Sequence, residues 1–75
     1  MMAVKEIDAR GMQCPGPIVE VFKAMKEAQP GDEINIQVTD RGFVEDIQAW
    51  CRKTGNELVS MDDKTNIIRA TIRKT

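Results

Sequence analysis

Histidine and tyrosine are absent from this sequence of 75 residues, and cysteine occurs only twice. Two thiols without histidine cannot supply the four sulfur and nitrogen ligands of a common zinc site, so no metal site is expected. The lack of histidine also excludes the serine–histidine and cysteine–histidine pairs of many hydrolases. Two cysteines make no dense disulfide framework, so the fold must depend on an apolar core. No cofactor is expected.

Neither sign of charge dominates, since 11 lysine and arginine residues face 12 aspartate and glutamate residues. This balance argues against a domain that binds nucleic acid through phosphate contacts. No apolar run has the length of a membrane span, and the charged N-terminal segment does not resemble a secretory signal. We therefore expect one domain over residues 1–75, in a cytoplasmic, monomeric protein that has reduced thiols and binds neither membrane nor nucleic acid.

The first half of the chain shows strand and helix patterns in turn. Residues 4–9 predict a strand, although the weak alternation leaves its inward face undecided. A helix is expected from Pro17 to the turn signal at Pro30 and Gly31. Residues 33–39 alternate cleanly and predict a strand with one buried face. The apolar stripe of the helix consists of Ile18, Val21, Phe22, Met25 and Ala28.

The second half of the chain predicts one more helix and two more strands. Asp40 is expected to cap the helix, and Gly55 is expected to end it in a left-handed conformation. Residues 58–61 and 68–73 predict strands joined by a polar turn. The apolar stripe of this helix consists of Val44, Ile47, Trp50, Cys51 and Thr54.

The element order β-α-β-α-β-β predicts an α/β fold. Right-handed crossovers place both helices on the same face of one sheet. The expected architecture is therefore a two-layer α/β sandwich with a mixed four-stranded sheet. Its last two strands should form an antiparallel hairpin, because only a short polar turn joins them.

Cys14 is the most informative residue, because it lies in the strand-to-helix connection just before the first predicted helix. Unpaired N–H groups and the positive end of the helix dipole would stabilise a thiolate there and lower the thiol pKa. Pro15 and Pro17 lack an N–H, so they should act by stiffening the loop, while Gly16 allows close approach of a partner backbone. The alternative is that Cys14 is a small buried apolar residue. The local amide donors are Gly16, Ile18 and Val19.

Four further residues each have two interpretations. Cys51 lies on the apolar stripe of the second helix and predicts a core thiol, the alternative being a resolving cysteine for Cys14. Arg10 is either a cation for an anionic sulfur or an ordinary solvated side chain. Asp8 either bonds the backbone of the loop or simply ends the strand. Met12 is either exposed beside the thiol or tucked under the first helix.

Three basic residues lie close together at the end of the chain, namely Arg69, Arg73 and Lys74. They predict a solvated face, the alternative being a docking patch for an acidic partner or for RNA. RNA binding by the open sheet face is disfavoured, because base stacking requires aromatic side chains there. The aromatic residues, Phe22, Phe43 and Trp50, all fall in helices or at a helix start.

The segment from Asp8 to Pro17 resembles the Asp-x-Arg-Gly-x-x-Cys-Pro-x-Pro signature of the TusA/SirA-like sulfur-carrier family. The resemblance covers nearly the whole chain and continues in the segments 29–32, 46–47, 50–51 and 55–58. One departure stands out. Members of the family often carry proline directly after the aspartate at position 40, where this chain has Arg41 and Gly42.

The resemblance implies a sulfurtransferase that accepts sulfane sulfur as a persulfide on Cys14 and passes it on. Asp8, Arg10, Pro15 and Pro17 match the motif and would support the reaction, as would Gly16. The implied partners are a persulfide donor, such as a cysteine desulfurase or a rhodanese-like protein, and a downstream acceptor protein. The pathway, for example tRNA thiolation, stays open. The alternative function is a non-catalytic, thiol-based regulatory or protein-binding module.

Overall fold

The computed structural model describes residues 3–13 and 16–75, so Cys14 and Pro15 lie outside the described residues. Six elements confirm the predicted order β-α-β-α-β-β. They are β1 (Val4–Ala9), α1 (Gly16–Glu27), β2 (Glu33–Val38), α2 (Gly42–Thr54), β3 (Glu57–Asp62) and β4 (Ile68–Arg73). The third strand extends one residue beyond each predicted end, and the second ends one residue earlier.

The four strands form one mixed sheet in the spatial order β1-β2-β4-β3. β1 is parallel to β2, whereas β4 is antiparallel to both β2 and β3. Ala9 pairs with Val38, and Val38 pairs with Ile68. The carboxyl ends of β1, β2 and β3 therefore share one edge with the start of β4. We call this the loop edge, and its loops are residues 10–13, 39–41 and 63–67.

One face of the sheet is covered by both helices and forms the core. β2 and β4 alternate strictly, so every second side chain is buried against the helices. Burying each large apolar side chain contributes about 1.5–3 kcal/mol, which a domain of this size needs. The buried strand residues are Ala9, Ile34, Ile36, Val38, Ile68, Ala70 and Ile72, and the buried helix residues include Pro17, Val21, Ala24, Met25, Phe43, Ile47 and Cys51.

The helices turn slightly different faces to the sheet than their apolar stripes predict. Phe22 is 47% exposed, although the predicted stripe of α1 included it. Phe43 is completely buried, although the predicted stripe of α2 began one residue later. In α2, Phe43 precedes Ile47 and Cys51 at steps of four residues. This spacing places all three on the same face of the helix.

Both predicted signals at the ends of α2 are confirmed. The carboxylate of Asp40 accepts a hydrogen bond from the Gly42 N–H, with 3.1 Å between Oδ1 and N. At the other end, Gly55 has a φ of 79° and its N–H donates to the carbonyl of Cys51 at 2.9 Å.

No helix among the described residues is both long and apolar enough to cross a bilayer.

Candidate functional site

The connection from β1 to α1 begins with a tight turn. The Met12 N–H donates to the Ala9 carbonyl at 3.2 Å, and Gly11 adopts a φ of 83° within this turn. A positive φ at the third position of a turn favours glycine, because a side chain there is strained. The Gly11 N–H in turn donates to the Thr39 hydroxyl at 2.8 Å, which ties this loop to the one after β2.

The two sides of the Cys14–Pro15 segment are joined by a hydrogen bond, from the Gly16 N–H to the Gln13 carbonyl at 2.8 Å. This bond changes one prediction. Gly16 was expected to be a local amide donor, but its N–H is already used within the loop. The first turn of α1 contains no acidic residue, so no carboxylate there opposes an anion before the helix.

Asp8 and Arg10 form a bidentate ion pair at the loop edge. The Arg10 Nε and Nη2 atoms each lie 2.8 Å from a carboxylate oxygen of Asp8, and the Arg10 N–H adds a third bond at 3.1 Å. These bonds, with the positive charge of Arg10, lower the pKa of Asp8 from 3.8 to about 2. Asp8 thus bonds the loop backbone, as one of its two interpretations predicted.

The residues around Gly16 pack closely. Met12 is half-buried against the core, which agrees with the tucked interpretation of this residue. A Cβ atom added to Gly16 would lie 3.1 Å from the Met12 Cε. Pro17 is fully buried in the first turn of α1. The start of the helix is therefore anchored in the core, while Gln13 on the other side of the segment is exposed.

Cys51 is a core thiol, as its position on the apolar stripe predicted. It lies on α2, and its side chain is buried in the core cluster. Burial raises its thiol pKa, because desolvation disfavours the thiolate. A thiol in this environment is a poor nucleophile at neutral pH.

The sequence that forms this strand, loop and helix matches a known protein family. A model of the family described as sulfurtransferase TusA matches residues 5–74 of this sequence. The chain belongs to the TusA family. The matched range includes both helices, all but the first residue of the sheet and the Asp8–Pro17 segment.

Several relatives of this chain are named as sulfur carriers. YrkI of Bacillus subtilis, named as a candidate sulfur carrier protein, is 36% identical over 74 residues, which are 99% of each chain. The sulfur carrier protein TusA of Allochromatium vinosum is 32% identical over 71 residues, which are 95% of this chain and 93% of the relative. YrkF of Bacillus subtilis is 38% identical over 74 residues, but the match spans only 40% of that longer protein.

A solved structure shares the fold of this family member. The SirA-like protein of Desulfitobacterium hafniense superposes with a TM-score of 0.78, covering 93% of this chain and 95% of its own. Sequence identity is 22%, so this likeness concerns the fold alone. It confirms the predicted two-layer α/β architecture.

Arg41 directly precedes α2 and has a structural role. Its Nη1 donates to the carbonyl of Asp63 at 2.7 Å, and its Nη2 donates to the carbonyl of Thr65 at 2.8 Å. The start of α2 is thereby tied to the turn between β3 and β4. Sequence reasoning did not find this contact, because 22 and 24 residues separate the partners.

The three basic residues near the C-terminus do not act as one solvated strip. Arg73 bridges two carboxylates on the open sheet face, with Nη2 2.8 Å from Glu33 and Nη1 3.4 Å from Glu57. Lys74 instead donates from Nζ to two backbone carbonyls at the end of α1. Arg69 is exposed on β4. Intramolecular contacts therefore engage two of the three predicted cations.

Two exposed apolar side chains on α1 were missed by the sequence analysis. Val19 is 42% exposed, and Phe22 lies one helical turn further along with the Lys26 ammonium 4.9 Å from its ring centroid. The sequence signal for them was their spacing of three residues, which puts both on one side of the helix.

Within residues 3–13 and 16–75, no group of three or more candidate ligands could hold a metal ion.

Proposed function

We propose that this chain is a sulfur carrier that accepts sulfane sulfur as a persulfide on Cys14 and passes it to an acceptor protein. The observation that carries the proposal is the match of residues 5–74 to the sulfurtransferase family. Two relatives that match this chain over nearly their whole length have names that agree with it. The burial of Cys51 supports Cys14 as the acceptor, since these are the two cysteines of the chain.

Loading is an exchange at sulfur. The Cys14 thiolate attacks the outer sulfur of a donor persulfide, R–S–SH, and a new S–S bond forms. The S–S bond of the donor breaks, and the donor leaves as the thiolate R–S⁻. The product is Cys14–S–SH, with no net oxidation or reduction. This step requires a thiolate but no general base, provided that the thiol is ionised at neutral pH.

Delivery repeats the same chemistry with the roles exchanged. A thiolate of the acceptor attacks the outer sulfur of Cys14–S–SH and takes it, which regenerates the Cys14 thiolate. The absence of histidine from the chain fits this scheme, because neither step needs a proton relay. The start of α1 supports it, because a helix start stabilises both a thiolate and a persulfide anion.

The residues beside Cys14 are proposed to shape the loop rather than to react. Asp8 and Arg10 hold each other at the end of β1, which sets the start of the loop. Pro15 stiffens the chain next to the thiol, and Pro17 anchors the helix start in the core. Gly16 leaves room for the Met12 side chain, because a Cβ atom there would lie 3.1 Å from the Met12 Cε.

Both exchange steps require another protein to reach Cys14. The proposed partners are a persulfide donor, of the cysteine desulfurase or rhodanese-like type, and a thiol-bearing acceptor. Val19 and Phe22 lie on the helix that follows Cys14 and offer exposed apolar area to such a partner. Exposed apolar side chains of this kind supply contact energy at transient interfaces.

The test is persulfide loading followed by mass spectrometry of the intact protein. A cysteine desulfurase charged with L-cysteine should add the mass of one sulfur atom to the wild type. Cys14→Ser should gain none, whereas Cys51→Ala should load like the wild type. Circular dichroism shows whether each variant is folded.

Equal loading of the wild type and Cys14→Ser would show that the sulfur resides elsewhere. Alkylation provides a second measurement of the same assignment. In the native protein, iodoacetamide should modify Cys14 rapidly and Cys51 only after unfolding, because burial raises the Cys51 pKa. A native Cys14 thiol that reacts slowly and takes no sulfur would instead favour a regulatory or binding module.

A further inference from the structure

The residues on both sides of the Cys14–Pro15 segment are held in place. The Gly16 N–H donates to the Gln13 carbonyl at 2.8 Å, and only two residues separate these positions in the sequence. Before the segment, the Met12 N–H is bonded within the turn that follows β1. After it, Pro17 is fully buried in the first turn of α1. Both approaches to the segment are therefore anchored.

The Met12 side chain reaches from one side of this segment to the other. A Cβ atom added to Gly16 would lie 3.1 Å from the Met12 Cε and 3.6 Å from the Met12 Cβ. The methionine thus fills the space that a side chain at position 16 would occupy. Met12 is half-buried and also packs against the core. Methionine suits such a place, because its unbranched chain adapts to irregular gaps.

The charged side chains of this loop hold only its beginning. Asp8 and Arg10 bind each other through two bonds of 2.8 Å, and both residues precede the turn. The first turn of α1 contains no acidic side chain. The contact of Met12 with Gly16 differs from this ion pair, because it joins residues on opposite sides of Cys14.

We propose that Met12 is a positioning residue for Cys14 in sulfur transfer. By filling the space beside Gly16, it keeps the bond between Gly16 and Gln13 closed. The sulfur is thereby held at the start of α1, where a helix favours a thiolate. The inference rests on the proposed function, because that function assigns the reacting sulfur to Cys14. An ordered loop also loses less entropy when the persulfide of the donor approaches.

Four variants separate this role from packing in general. Met12→Ala empties the space beside Gly16, whereas Met12→Leu has a similar volume and should retain the contact. Gly16→Ala forces the Met12 methyl group to shift by a few tenths of an ångström. Its φ is not positive, so this contact is the strain that alanine introduces. Met61→Ala is the matched control, because Met61 is also half-buried against the core but lies on β3, at the far edge of the sheet from β1.

The first measurement is the rate at which iodoacetamide alkylates Cys14 as a function of pH, followed by mass spectrometry of the Cys14 peptide. In Met12→Ala the midpoint of this profile should rise towards about 8.5, the pKa of a free thiol, by roughly half to one pH unit. Met12→Leu and Met61→Ala should keep the wild-type midpoint. Gly16→Ala should shift it in the same direction, but should add nothing in combination with Met12→Ala, because the two changes act on one contact.

The second measurement is loading by glutathione persulfide, a small donor that needs no docking surface. The Cys14 thiolate takes the outer sulfur and releases the glutathione thiolate. At neutral pH, Met12→Ala should load about three- to tenfold more slowly than the wild type, in proportion to its lower thiolate fraction. Met12→Leu should restore the wild-type rate.

Several results would overturn the inference. An unchanged midpoint in Met12→Ala would show that Met12 does not position the thiol, and an equal shift in Met61→Ala would make the effect one of core packing. Additive shifts in the double variant would show that Met12 does not act through Gly16. Circular dichroism shows whether each variant is folded, and Gly16→Ala decides the question if Met12→Ala is not.

Failure of the proposed function is recognised separately. A wild type that gains no sulfur would defeat that function. The alkylation profiles require no sulfur transfer, so they decide by themselves whether Met12 positions the thiol.

Discussion

The two cysteines of this chain are expected to differ in their chemistry. Cys51 lies in the apolar core, and desolvation raises its thiol pKa. Cys14 precedes the amino end of α1 in the sequence, where helix geometry favours the anion. The two thiols are thus expected to differ in reactivity, because Cys51 lacks solvent whereas Cys14 precedes a helix start in the sequence.

At the same scale, the Asp8–Arg10 pair predicts a specific pH dependence. The folded-state pKa of Asp8 is about 2, below its usual 3.8. Because it is lowered, the pair contributes stability above pH 3.8 and loses that contribution as the pH falls towards 2. A ¹³C NMR titration of the Asp8 carboxyl should give a midpoint near 2, and Arg10→Ala should move it up towards 3.8. The midpoint in Arg52→Ala should stay low; a shift there as large as in Arg10→Ala would contradict the local cause.

Helix ends explain most of the local conformations at the scale of single elements. α2 begins after the Asp40 carboxylate binds the Gly42 N–H, and it ends where Gly55 turns left-handed. The Arg41 side chain makes no capping bond of its own and instead reaches the β3–β4 turn. The start of α2 is therefore capped by Asp40, while the side chain of Arg41 contacts another loop.

The two ends of α2 should respond oppositely to the same substitution. Gly55→Ala should lower the free energy of unfolding by about 1 kcal/mol, because Gly55 has a φ of 79° that strains any side chain. Gly42→Ala should leave it unchanged or raise it by up to about 0.5 kcal/mol, since alanine favours helices. A Cβ at Gly42 meets Asp40 Oδ1 at 3.5 Å, an ordinary contact. Urea unfolding measures both values, and equal losses would contradict the assignment.

A lysine after the last strand adds a polar link between the two layers of the molecule. Lys74 follows β4 and bonds the carbonyls of Met25 and Ala28 at 2.8 and 2.7 Å, so it joins the sheet to the end of α1. Its positive charge lies at the negative end of the helix dipole, which is favourable. This contact spans 46 to 49 residues of sequence.

Removing this link should destabilise the whole fold. Lys74→Met should lower the free energy of unfolding by about 1–3 kcal/mol, because it leaves two half-buried carbonyls without their donor. Lys23→Met, at an exposed position on α1, should change it by less than about 0.5 kcal/mol. Thermal unfolding followed by circular dichroism measures both. Similar losses in the two variants would show that Lys74 acts only through its charge.

Much of the fold was predictable because its signals are local. Strict alternation in β2 and β4 identified the buried strand face, and Gly55 marked the end of α2. β1 was less clear, because the burial of its residues depends on neighbours rather than on its own alternation. Phe22 and Phe43 were misplaced on their stripes, since a helix rotation of a few tens of degrees is set by packing against the sheet.

The sequence by itself determined the order of the elements, the family motif around Cys14 and the assignment of Cys51 to the core. These follow from spacing and residue type over a few neighbouring positions. Only the tertiary structure decided the strand order β1-β2-β4-β3 and the partners of Arg41, Arg73 and Lys74. The physical reason is distance along the chain. A long side chain with several donors can satisfy many acceptors, and only the folded backbone brings one of them within reach.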